Sequence, residues 1–583
     1  MSAHEVSTPP CPPSPVLDDD HHYTVSRHPN LVDPTHPRLH PKLTEDQLCE
    51  VAQYAACQRF EPGQLLFKQG QRHAPFVVLR QGKVNVYDKQ TPHHRVLIAH
   101  CIAGRFIGDL SMFTGEPTIA MCEAAQECEA YVLTQAQLRQ LITEHAAVGE
   151  IILKCLMDRR EWLRGEKLGH VKVVGSRYDR DAFKLRDFLS RNGILHHFLE
   201  LEAQSEQTKE MLAYFDVTED QCPVLIHSAG VEREPTIDHV AKQLGLCPEL
   251  HEDKLWDVAI VGGGPGGLGA AVYAASEGLS TLVLEGQSPG GQAGQSSRIE
   301  NYLGFPTGLS GLDLAQRAVL QAKKFGALLV NPRSAVQLRD TKEEKTLTLD
   351  DGTTVRAKAV VLACGADYRK LDSCADRFDG KGVYYGASHT EAERCNGETA
   401  IVVGGGNSAG QAAVNLAKHA DLVKLIIRRA DLSATMSDYL IKRIAATPNI
   451  ELLPFREIRD CHGDQKLDGV TLCDSRTKES CEQVHACAVF VMIGADPRTD
   501  WLRGCVGLDP KCFVLTGQAA EAHPDFAEHW GGTDRKPGHL ETTRPGIFAV
   551  GDVRHGAINR VAAAIGEGGM AVTFVHRALA AAT

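Results

Sequence analysis

The chain has 583 residues, a length that predicts about three to five domains, and its 43% hydrophobic and 23% charged residues are ordinary for a soluble globular protein. Its 62 basic and 74 acidic residues leave a formal net charge of −12, which argues against nucleic acid or an anionic membrane as the main partner. No run of about 18 apolar residues predicts a membrane-spanning helix, and the N-terminal segment lacks the apolar stretch of a secretion signal, so we expect a soluble cytoplasmic protein.

The first part of the chain changes character near residue 45. Residues 1–44 are rich in proline, histidine and aspartate and show no periodicity, which predicts a disordered tail. Residues 45–165 alternate short apolar runs with glycine and proline turns, the pattern of a mainly β sandwich or barrel. A helical stretch from Thr134 to about Arg164 closes this region.

A strand–helix–strand pattern occupies residues 169–247. The segments HVKVVGS and ILHHFLELE have the apolar character of strands, and the amphipathic segment between them ends at Asn192-Gly193, a helix-stop signal. CPVLIHS, opened by Pro223, predicts a further strand, and IDHVAKQLGL predicts a closing helix. We therefore predict a small α/β domain here.

The chain contains 18 scattered cysteines and no C-x-x-C pair. Several lie within apolar runs, among them Cys57, Cys155, Cys364 and Cys487. We interpret them as buried, reduced thiols of a reducing compartment. The sequence lacks the paired short spacings that hold zinc, so no metal site is predicted.

The first strong motif begins near residue 255. A strand over Val258–Val261 leads into the turn GGGPGG, and an alanine-rich helix follows. Such glycines permit a tight turn, close approach of a pyrophosphate and packing of helix on strand, while the helix N-terminus offers free N–H groups. A second strand ends about 20 residues later in an acid placed to accept from a ribose. The predicted dinucleotide-binding residues are Gly262, Gly264, Pro265, Gly267 and Glu285.

A second motif repeats this arrangement near residue 404 but ends differently. The segment ETAIVVGGGNSAGQAAVNL again reads strand, turn and helix, and the next strand, Val423–Ile427, ends in two arginines. An acid would repel the 2′-phosphate of NADPH, whereas arginines bind it, so the second site is predicted to prefer NADPH to NADH. The alternative is that the arginines only solvate a strand end. The predicted residues are Gly404, Gly406, Asn407, Ser408, Ala409, Arg428 and Arg429.

These segments resemble the low-molecular-weight thioredoxin reductase family, class II of the pyridine nucleotide-disulfide oxidoreductases, over about Leu255–Thr583. PGGQ resembles the family's flavin-ring loop, RIENYLGFP and VLACGADYRKL resemble two further segments, and GIFAVGDVR resembles its late FAD motif. The resemblance implies bound FAD, NADPH, a homodimer, and a FAD domain (255–375 and 497–583) that encloses an NADPH domain (376–496). The further FAD contacts that it implies are Gly291, Gln292, Asn301, Gly365, Gly551, Asp552 and Arg560.

One departure from this family concerns the output of electrons. The family carries a redox C-x-x-C before its second glycine-rich strand, where this chain reads Gly386-Ala387-Ser388-His389. Without a thiolate there, disulfide exchange has no nucleophile at this position. Cys395 is nearby but alone, so we interpret it as an ordinary loop cysteine. His389 is a candidate proton donor near the flavin.

Three functions are compatible with these motifs. The first is an enzyme that passes electrons from NADPH through FAD directly to an acceptor, such as a thioredoxin-like or ferredoxin-like protein, a quinone, a free flavin or oxygen. The second is thioredoxin reduction with cysteines recruited from elsewhere in the chain. The third is a regulatory protein that senses flavin or nucleotide with little turnover.

The region over 45–165 resembles a cyclic-nucleotide-binding roll. Gly108-Asp109-Leu110-Ser111 matches the turn and short helix that offer N–H groups to a cyclic phosphate. The family then expects an arginine on the phosphate, where this chain has Pro117-Thr118-Ile119. A cyclic nucleotide as ligand and a structural role without one therefore both stay open.

The region over 169–247 resembles, more weakly, a glutaredoxin/thioredoxin-like domain. The position of the redox motif, Gly175–Asp179, contains no cysteine, and Pro223 is the candidate cis-proline of that fold. The predicted fold class is thus multidomain: an α/β flavoprotein with two Rossmann-like dinucleotide-binding domains, preceded by a mainly β roll and a small α/β domain.

Overall fold

The computed structural model describes residues 23–582 except 92, 167, 178, 228–229, 297, 342–343, 372–374, 388 and 532–534. The chain divides into two compact units, Met1–Leu246 and Cys247–Thr583. Within the part of the chain that is described, no helix is both long and apolar enough to cross a membrane.

The first unit opens with a roll of two sheets, in the orders β1-β6-β5-β8-β3 and β2-β9-β4-β7. The helical stretch predicted after residue 134 is present as two helices, and Thr134 caps the first of them by accepting from the backbone N–H of Gln137. The elements are β1 (Thr24–Val32), α1 (Glu45–Ala52), β2 (Ala56–Phe60), β3 (Leu65–Phe67), β4 (Phe76–Gln81), β5 (Lys83–Thr91), β6 (His94–Ile102), β7 (Phe106–Ile107), α2 (Leu110–Thr114), β8 (Met121–Ala124), β9 (Cys128–Leu133), α3 (Gln135–Glu144) and α4 (Ala146–Gly165).

The prediction of a disordered tail up to residue 44 is wrong for its described part. β1 pairs in parallel with β6 at the edge of the first sheet. Most of its side chains stay exposed, and only Val32 is buried. The backbone ladder therefore holds this strand, which explains why the sequence carries no hydrophobic period there. Residues 1–22 lie outside the described residues.

The second part of the first unit is a four-stranded sheet in the order β11-β10-β12-β13. β10 and β11 are parallel, whereas β12 and β13 run antiparallel to their neighbours. The Cys222–Pro223 bond is cis, as the sequence predicted. The elements are β10 (Val171–Gly175), α5 (Arg180–Arg191), β11 (His196–Glu200), α6 (Glu206–Tyr214), β12 (Val224–His227), β13 (Gly230–Arg233) and α7 (Ile237–Gln243).

The second unit begins with a sheet whose parallel strands end in apolar runs. β14, β15, β16 and β19 are parallel, and their last residues are buried, which accounts for the valine- and leucine-rich runs there. Two antiparallel strands, β17 and β18, extend the sheet at one side. The elements are β14 (Leu255–Val261), α8 (Pro265–Ser276), β15 (Thr281–Leu284), α9 (Gly311–Lys324), β16 (Leu328–Val330), β17 (Ala335–Asp340), β18 (Lys345–Leu349), β19 (Thr354–Leu362) and β20 (Ala366–Tyr368).

A second parallel sheet follows, in the order β21-β28-β22-β23-β24. Between β24 and β28, the chain forms a three-stranded antiparallel sheet in the order β25-β26-β27. β20 pairs with β29, so an antiparallel ribbon joins this sheet to the first. The elements are β21 (Val383–Tyr384), α10 (His389–Ala392), β22 (Thr399–Val403), α11 (Asn407–Leu416), β23 (Leu422–Ile427), α12 (Asp438–Ala446), β24 (Ile450–Pro454), β25 (Arg456–His462), β26 (Gly469–Asp474), β27 (Glu482–His485), β28 (Ala488–Val491) and β29 (Ala495–Pro497).

The C-terminal segment returns to the first sheet of this unit. Its strand pairs in parallel with β19 and completes seven strands. Its last helix packs along α8 through glycines: a β-carbon at Gly568 would lie 2.2 Å from the carbonyl oxygen of Gly266. The elements are α13 (Gln518–Glu521), α14 (Phe526–Trp530), β30 (Ile547–Ala549) and α15 (Val561–Ala582).

The interpretation of the cysteines as reduced thiols is wrong for part of the set. Cys473 and Cys481 form a disulfide with Cα atoms 4.1 Å apart. The register of the β26–β27 hairpin pairs Leu472 with Glu482, which places the two cysteines opposite each other just beyond the ladder. Cys57 is also disulfide-bonded. Among the remaining cysteines, Cys155 is a buried free thiol, as predicted.

Candidate functional site

The first glycine-rich turn, between β14 and α8, accepts no side chain at two of its glycines. Gly262 has φ +108°, and a β-carbon there would lie 2.2 Å from the carbonyl oxygen of Ala363. A β-carbon at Gly267 would lie 1.9 Å from the carbonyl oxygen of Gly262. By contrast, the space beside Gly264 is open to 4 Å, and Gly264 caps α8 with Pro265 at the first helical position. The helix N-terminus thus faces free space of the kind that a pyrophosphate fills.

Glu285 lies directly after β15 and is 7% exposed. Its Oε2 accepts from the backbone N–H of Gly263 at 2.7 Å, and its Oε1 accepts from that of Gln287 at 2.8 Å. These bonds fix the carboxylate against the turn, and each oxygen retains a second lone pair. A ribose hydroxyl beside the turn could donate to it, so the geometry fits the predicted role.

The loop that contains Gly291 and Gln292 folds back over this turn. The N–H of Gly290 donates to the carbonyl oxygen of Gly263 at 2.7 Å, and a β-carbon at Gly291 would lie 3.2 Å from the Cα of Gly264. The side-chain amide of Gln292 donates to the carbonyl oxygen of Ala366, the residue after Gly365. The structure therefore brings three sequence-distant predicted segments together around one open space.

The late FAD motif is held by an acid that sequence reasoning missed. Glu567, on α15, accepts from the N–H of Gly551 at 2.7 Å and pairs with Arg554 at 2.5 Å. Beside them, burial raises the pKa of Asp552, while a hydrogen bond from Asn559 lowers it. The sequence gives no signal for this role of Glu567, because its partners Gly551 and Arg554 lie on a loop before α15.

For two predicted FAD contacts, no described side-chain hydrogen bond places the residue beside the first glycine-rich turn. Asn301 and Arg560 are both exposed. Asn301 lies beside Glu300, whose Oε2 accepts from Arg443 of α12 at 2.5 Å. Arg560 directly precedes α15. Their predicted roles stay predictions.

The second glycine-rich turn, between β22 and α11, repeats the first. Gly404 has φ +137°, and a β-carbon there would lie 2.2 Å from the carbonyl oxygen of Met492. Gly406 caps α11, and the space beside it is open to 4 Å. In the first turn of α11, Ser408 is exposed and Ala409 is fully buried. This turn also fits a dinucleotide phosphate.

A loop after β23 closes on this turn. The hydroxyl of Thr435 donates to the carbonyl oxygen of Gly405 at 2.7 Å, and the side-chain oxygen of Asn407 accepts from the N–H of Ser437 at 2.8 Å. Arg428 and Arg429, which begin this loop, are both exposed. No ion pair of either guanidinium occurs among the described residues, so both are free to bind a phosphate. Thr435 and Ser437 were not predicted; a hydroxyl residue after the arginines is a usable signal for Thr435, whereas Ser437 bonds through its backbone N–H, which any residue but proline offers.

The segment in place of the family's dithiol approaches the loop that follows Gly291 and Gln292. A β-carbon at Gly386 would lie 2.5 Å from Oε1 of Gln295, a residue of the loop after Gln292. A side chain at this position would therefore require the flexible amide of Gln295 to move. Ser388 lies outside the described residues, and His389 begins α10 with its side chain outside the described part.

The prediction that Cys395 is alone is wrong. Cys395 is fully buried, and its thiol is hydrogen-bonded to that of Cys487, which directly precedes β28. The two cysteines are far apart in sequence, and parallel pairing of β22 with β28 brings them together. Only the sheet order, which the sequence did not give, could have revealed this pair.

The turn of the roll is also built as predicted, with the short helix α2 after it. Asp109 caps this helix: its carboxylate accepts from the N–H of Ser111 at 2.6 Å and from that of Ile119 at 3.3 Å. Thr118 is 1% exposed and donates to a main-chain carbonyl at 2.6 Å. Asp109 and Thr118, which stands in place of the family's arginine, thus both form hydrogen bonds within the protein.

Comparisons with known proteins agree with these two regions. Residues 256–568 match the family model described as pyridine nucleotide-disulphide oxidoreductase, and residues 57–145 match that described as cyclic nucleotide-binding domain. A thioredoxin reductase of Streptomyces clavuligerus is 34% identical over 332 residues, 56% of this chain and 94% of that protein. An NADH dehydrogenase of Bacillus subtilis is 29% identical over 340 residues, 58% of this chain and 62% of that protein. The solved thioredoxin reductase of Lactococcus lactis covers 56% of this chain and 99% of its own, with 25% identity and a TM-score of 0.49.

Proposed function

Since the chain belongs to the pyridine nucleotide-disulphide oxidoreductase family and is a thioredoxin reductase-like flavoprotein, we propose that it passes electrons from NADPH through FAD to an acceptor without a dithiol beside the flavin. The observation that carries the proposal is that the segment Gly386–His389, at the position of the family's redox dithiol, contains no cysteine. Gly386 lies beside the side-chain amide of Gln295, so that contact also provides no sulfur.

The residues around the first turn would hold FAD, which when bound accepts hydride from a nicotinamide and passes electrons onward. The N-terminus of α8 at Gly264 would stabilise the pyrophosphate, and the fixed carboxylate of Glu285 would accept from the adenosine ribose. The loop of Gly291 and Gln292 would lie over the flavin. Asp552 would contact the middle of the cofactor.

The residues around the second turn would bind NADPH transiently. The N-terminus of α11 at Gly406 would receive the pyrophosphate, and Arg428 with Arg429 would receive the 2′-phosphate as paired, charge-assisted donors. We propose the ribbon of β20 and β29 as the boundary between a FAD domain (255–375 and 497–583) and an NADPH domain (376–496). The acceptor class that best fits a flavin without a neighbouring dithiol is a quinone, a small molecule or a ferredoxin-like protein.

A steady-state assay tests this proposal. Purified holoenzyme with NADPH should reduce a soluble quinone or a dye at an ordinary enzymatic rate of about 1–1000 per second. Thioredoxin and a dithiobenzoate reagent should be reduced far more slowly. Turnover of thioredoxin comparable to that of the quinone would overturn the proposal.

Thioredoxin reduction is the second candidate, because the chain does bring two thiols together, at Cys395 and Cys487. This candidate requires that the pair exchange electrons with the flavin. If it does, the double variant Cys395→Ala/Cys487→Ala should lose thioredoxin turnover and keep quinone turnover. Equal thioredoxin turnover in variant and wild type excludes these two cysteines.

For the roll, we propose a structural role without a cyclic nucleotide, since Thr118 and Asp109 bond within the protein. Cyclic AMP or cyclic GMP at millimolar concentration should then leave the melting temperature unchanged. A concentration-dependent rise would favour a regulatory protein that senses nucleotide. The α/β domain over 169–247, which we propose as thioredoxin-like, would serve to dock a partner.

A further inference from the structure

The Cys395–Cys487 pair is built into the start of the second parallel sheet. Cys395 ends a single helical turn, Glu393–Cys395, and the next turn leads into β22. The N–H of Glu398 donates to the carbonyl oxygen of Cys395 at 3.1 Å, and the N–H of Cys487 donates to that of Thr399 at 3.0 Å. Two main-chain bonds therefore fix both cysteines relative to the same strand end.

Both side chains belong to one apolar core. Cys395 is a member of the cluster between the sheet and its helices, together with Ala400 and Phe490, and Cys487 packs against that cluster. Apolar burial disfavours a charged thiolate, so a charge on either cysteine has no role in stabilising this core. This placement sets the two thiols beside each other, and the Cys395 thiol also donates to the main-chain carbonyl of Glu391 at 3.9 Å.

The two thiols differ in chemistry. Cys395 donates to the sulfur of Cys487, which raises the pKa of Cys395 together with burial. The same bond lowers the pKa of Cys487, against the effect of burial. Cys487 is also partly exposed, whereas Cys395 is not. Because Cys487 is the more accessible of the two sulfurs, it is the one suited to attack a solute, and Cys395 is the one to follow.

We propose that Cys395 and Cys487 are a redox-modification site that closes to a disulfide when the protein meets a low-molecular-weight disulfide. The Cys487 thiolate attacks one sulfur of the oxidant, its S–S bond breaks, and one thiolate leaves and takes up a proton. Cys395 then loses its proton to solvent and attacks the sulfur of Cys487, and the second small thiolate leaves. Two protein thiols are oxidised and one small disulfide is reduced to two thiols.

The modification would act on the segment that follows Gly386, the residue that lies beside Gln295. Between Gly386, which touches Gln295, and Gly404 of the second glycine-rich turn, the chain runs through α10, Cys395 and β22. A covalent bond from Cys395 to Cys487 would tie this segment to β28, next to it in the sheet. The site is independent of the proposed acceptor, because it requires neither FAD nor NADPH.

Differential alkylation of the holoenzyme tests the proposal. The protein is incubated with oxidised glutathione, free thiols are alkylated after denaturation, and peptides are mapped by mass spectrometry. We expect a cross-linked peptide pair containing Cys395 and Cys487, lost again on reduction by dithiothreitol. Exposed Cys49 serves as the internal reference for thiols that form only a glutathione adduct.

Variants separate the two steps. Cys395→Ala should trap glutathione on Cys487, whereas Cys487→Ala should leave buried Cys395 unmodified. Cys505→Ala, at a similarly half-buried cysteine, should leave the cross-link unchanged. Below the pKa of Cys487 the cross-linking rate should rise about tenfold per pH unit, as its thiolate fraction does.

Two results would overturn the proposal. One is alkylation of both cysteines at oxidant concentrations that fully modify Cys49. The other is a cross-link of either cysteine to a different partner. Because the wild-type map decides both, the test holds even if a variant fails to fold, which circular dichroism and bound-flavin absorbance would reveal.

Discussion

The two glycine-rich turns share one backbone design and differ at the end of the following strand. In both, a glycine of positive φ sits where a β-carbon would lie 2.2 Å from a neighbouring carbonyl oxygen. After β15 stands Glu285, 7% exposed and bonded to two backbone N–H groups. After β23 stand Arg428 and Arg429, exposed and free of described ion pairs. A pre-bonded acid suits a permanently held cofactor, whereas exposed cations suit a ligand that comes and goes.

The largest effect in this comparison should come from the turn itself. Gly262→Ala places a β-carbon against Ala363 in a backbone that disfavours alanine, so it should cost more than about 3 kcal/mol and abolish FAD binding. Bound flavin is measured by absorbance after purification, and stability by urea denaturation. Gly278→Ala is the matched control, since Gly278 has φ +86° with open space around it. It should cost about 1–2 kcal/mol and keep FAD. Equal flavin content in both variants would contradict this account of the turn.

The next largest effect should be on nicotinamide choice. Arg428→Ala/Arg429→Ala removes two charge-assisted donors, so KM for NADPH should rise about a hundredfold while KM for NADH stays the same. Steady-state kinetics with a dye acceptor measure both. Arg459→Ala, at another exposed arginine, should change neither. A rise that is equal for both nucleotides would show that the arginines do not read the 2′-phosphate.

A smaller effect is expected at the acid. Glu285→Gln replaces one carboxylate oxygen by an NH₂ group and leaves one backbone N–H without its acceptor, so Kd for FAD should rise about tenfold. Fluorescence titration of the FAD-free protein measures this. Glu277→Gln, at the C-terminus of α8, is the control and should not alter FAD affinity. Unchanged affinity in Glu285→Gln would remove this carboxylate from the FAD site.

The smallest effect concerns pH. Burial raises the pKa of Asp552 above 3.8, so in the FAD-free protein this group stabilises the fold below that pH and the contribution is lost as pH rises through the raised value. Asp552→Asn should therefore gain up to about 1 kcal/mol relative to wild type across this window. Urea denaturation of both apoproteins from acidic to neutral pH measures the difference. A constant difference across that range would mean that Asp552 does not titrate in it.

The sequence predicted best those parts in which the backbone conformation is dictated locally. The turns at Gly262 and Gly404, the acid Glu285 and the helices after them follow from motifs that have a steric reason. The cis bond at Pro223 was also predicted correctly. These features depend on a few adjacent residues, so a local sequence motif is enough to predict them.

Features that depend on long-range pairing were missed. β1 has exposed side chains and exists through its ladder with β6, so no hydrophobic period marks it. The Cys395–Cys487 pair and the Cys473–Cys481 disulfide arise from sheet order and hairpin register. The sequence shows only that Gly386 stands where the family has a cysteine. Its approach to Gln295 is a tertiary contact that the sequence does not reveal.

We propose that no thiol pair carries electrons between the flavin and its acceptor. An anaerobic titration of the holoenzyme with NADPH, followed by flavin absorbance, decides this. Since hydride transfer delivers two electrons, about one NADPH per FAD should bleach the flavin completely, and mixing with a quinone should restore the absorbance. A requirement for a second equivalent, lost in Cys395→Ala/Cys487→Ala, would show a dithiol in equilibrium with the flavin and contradict the claim.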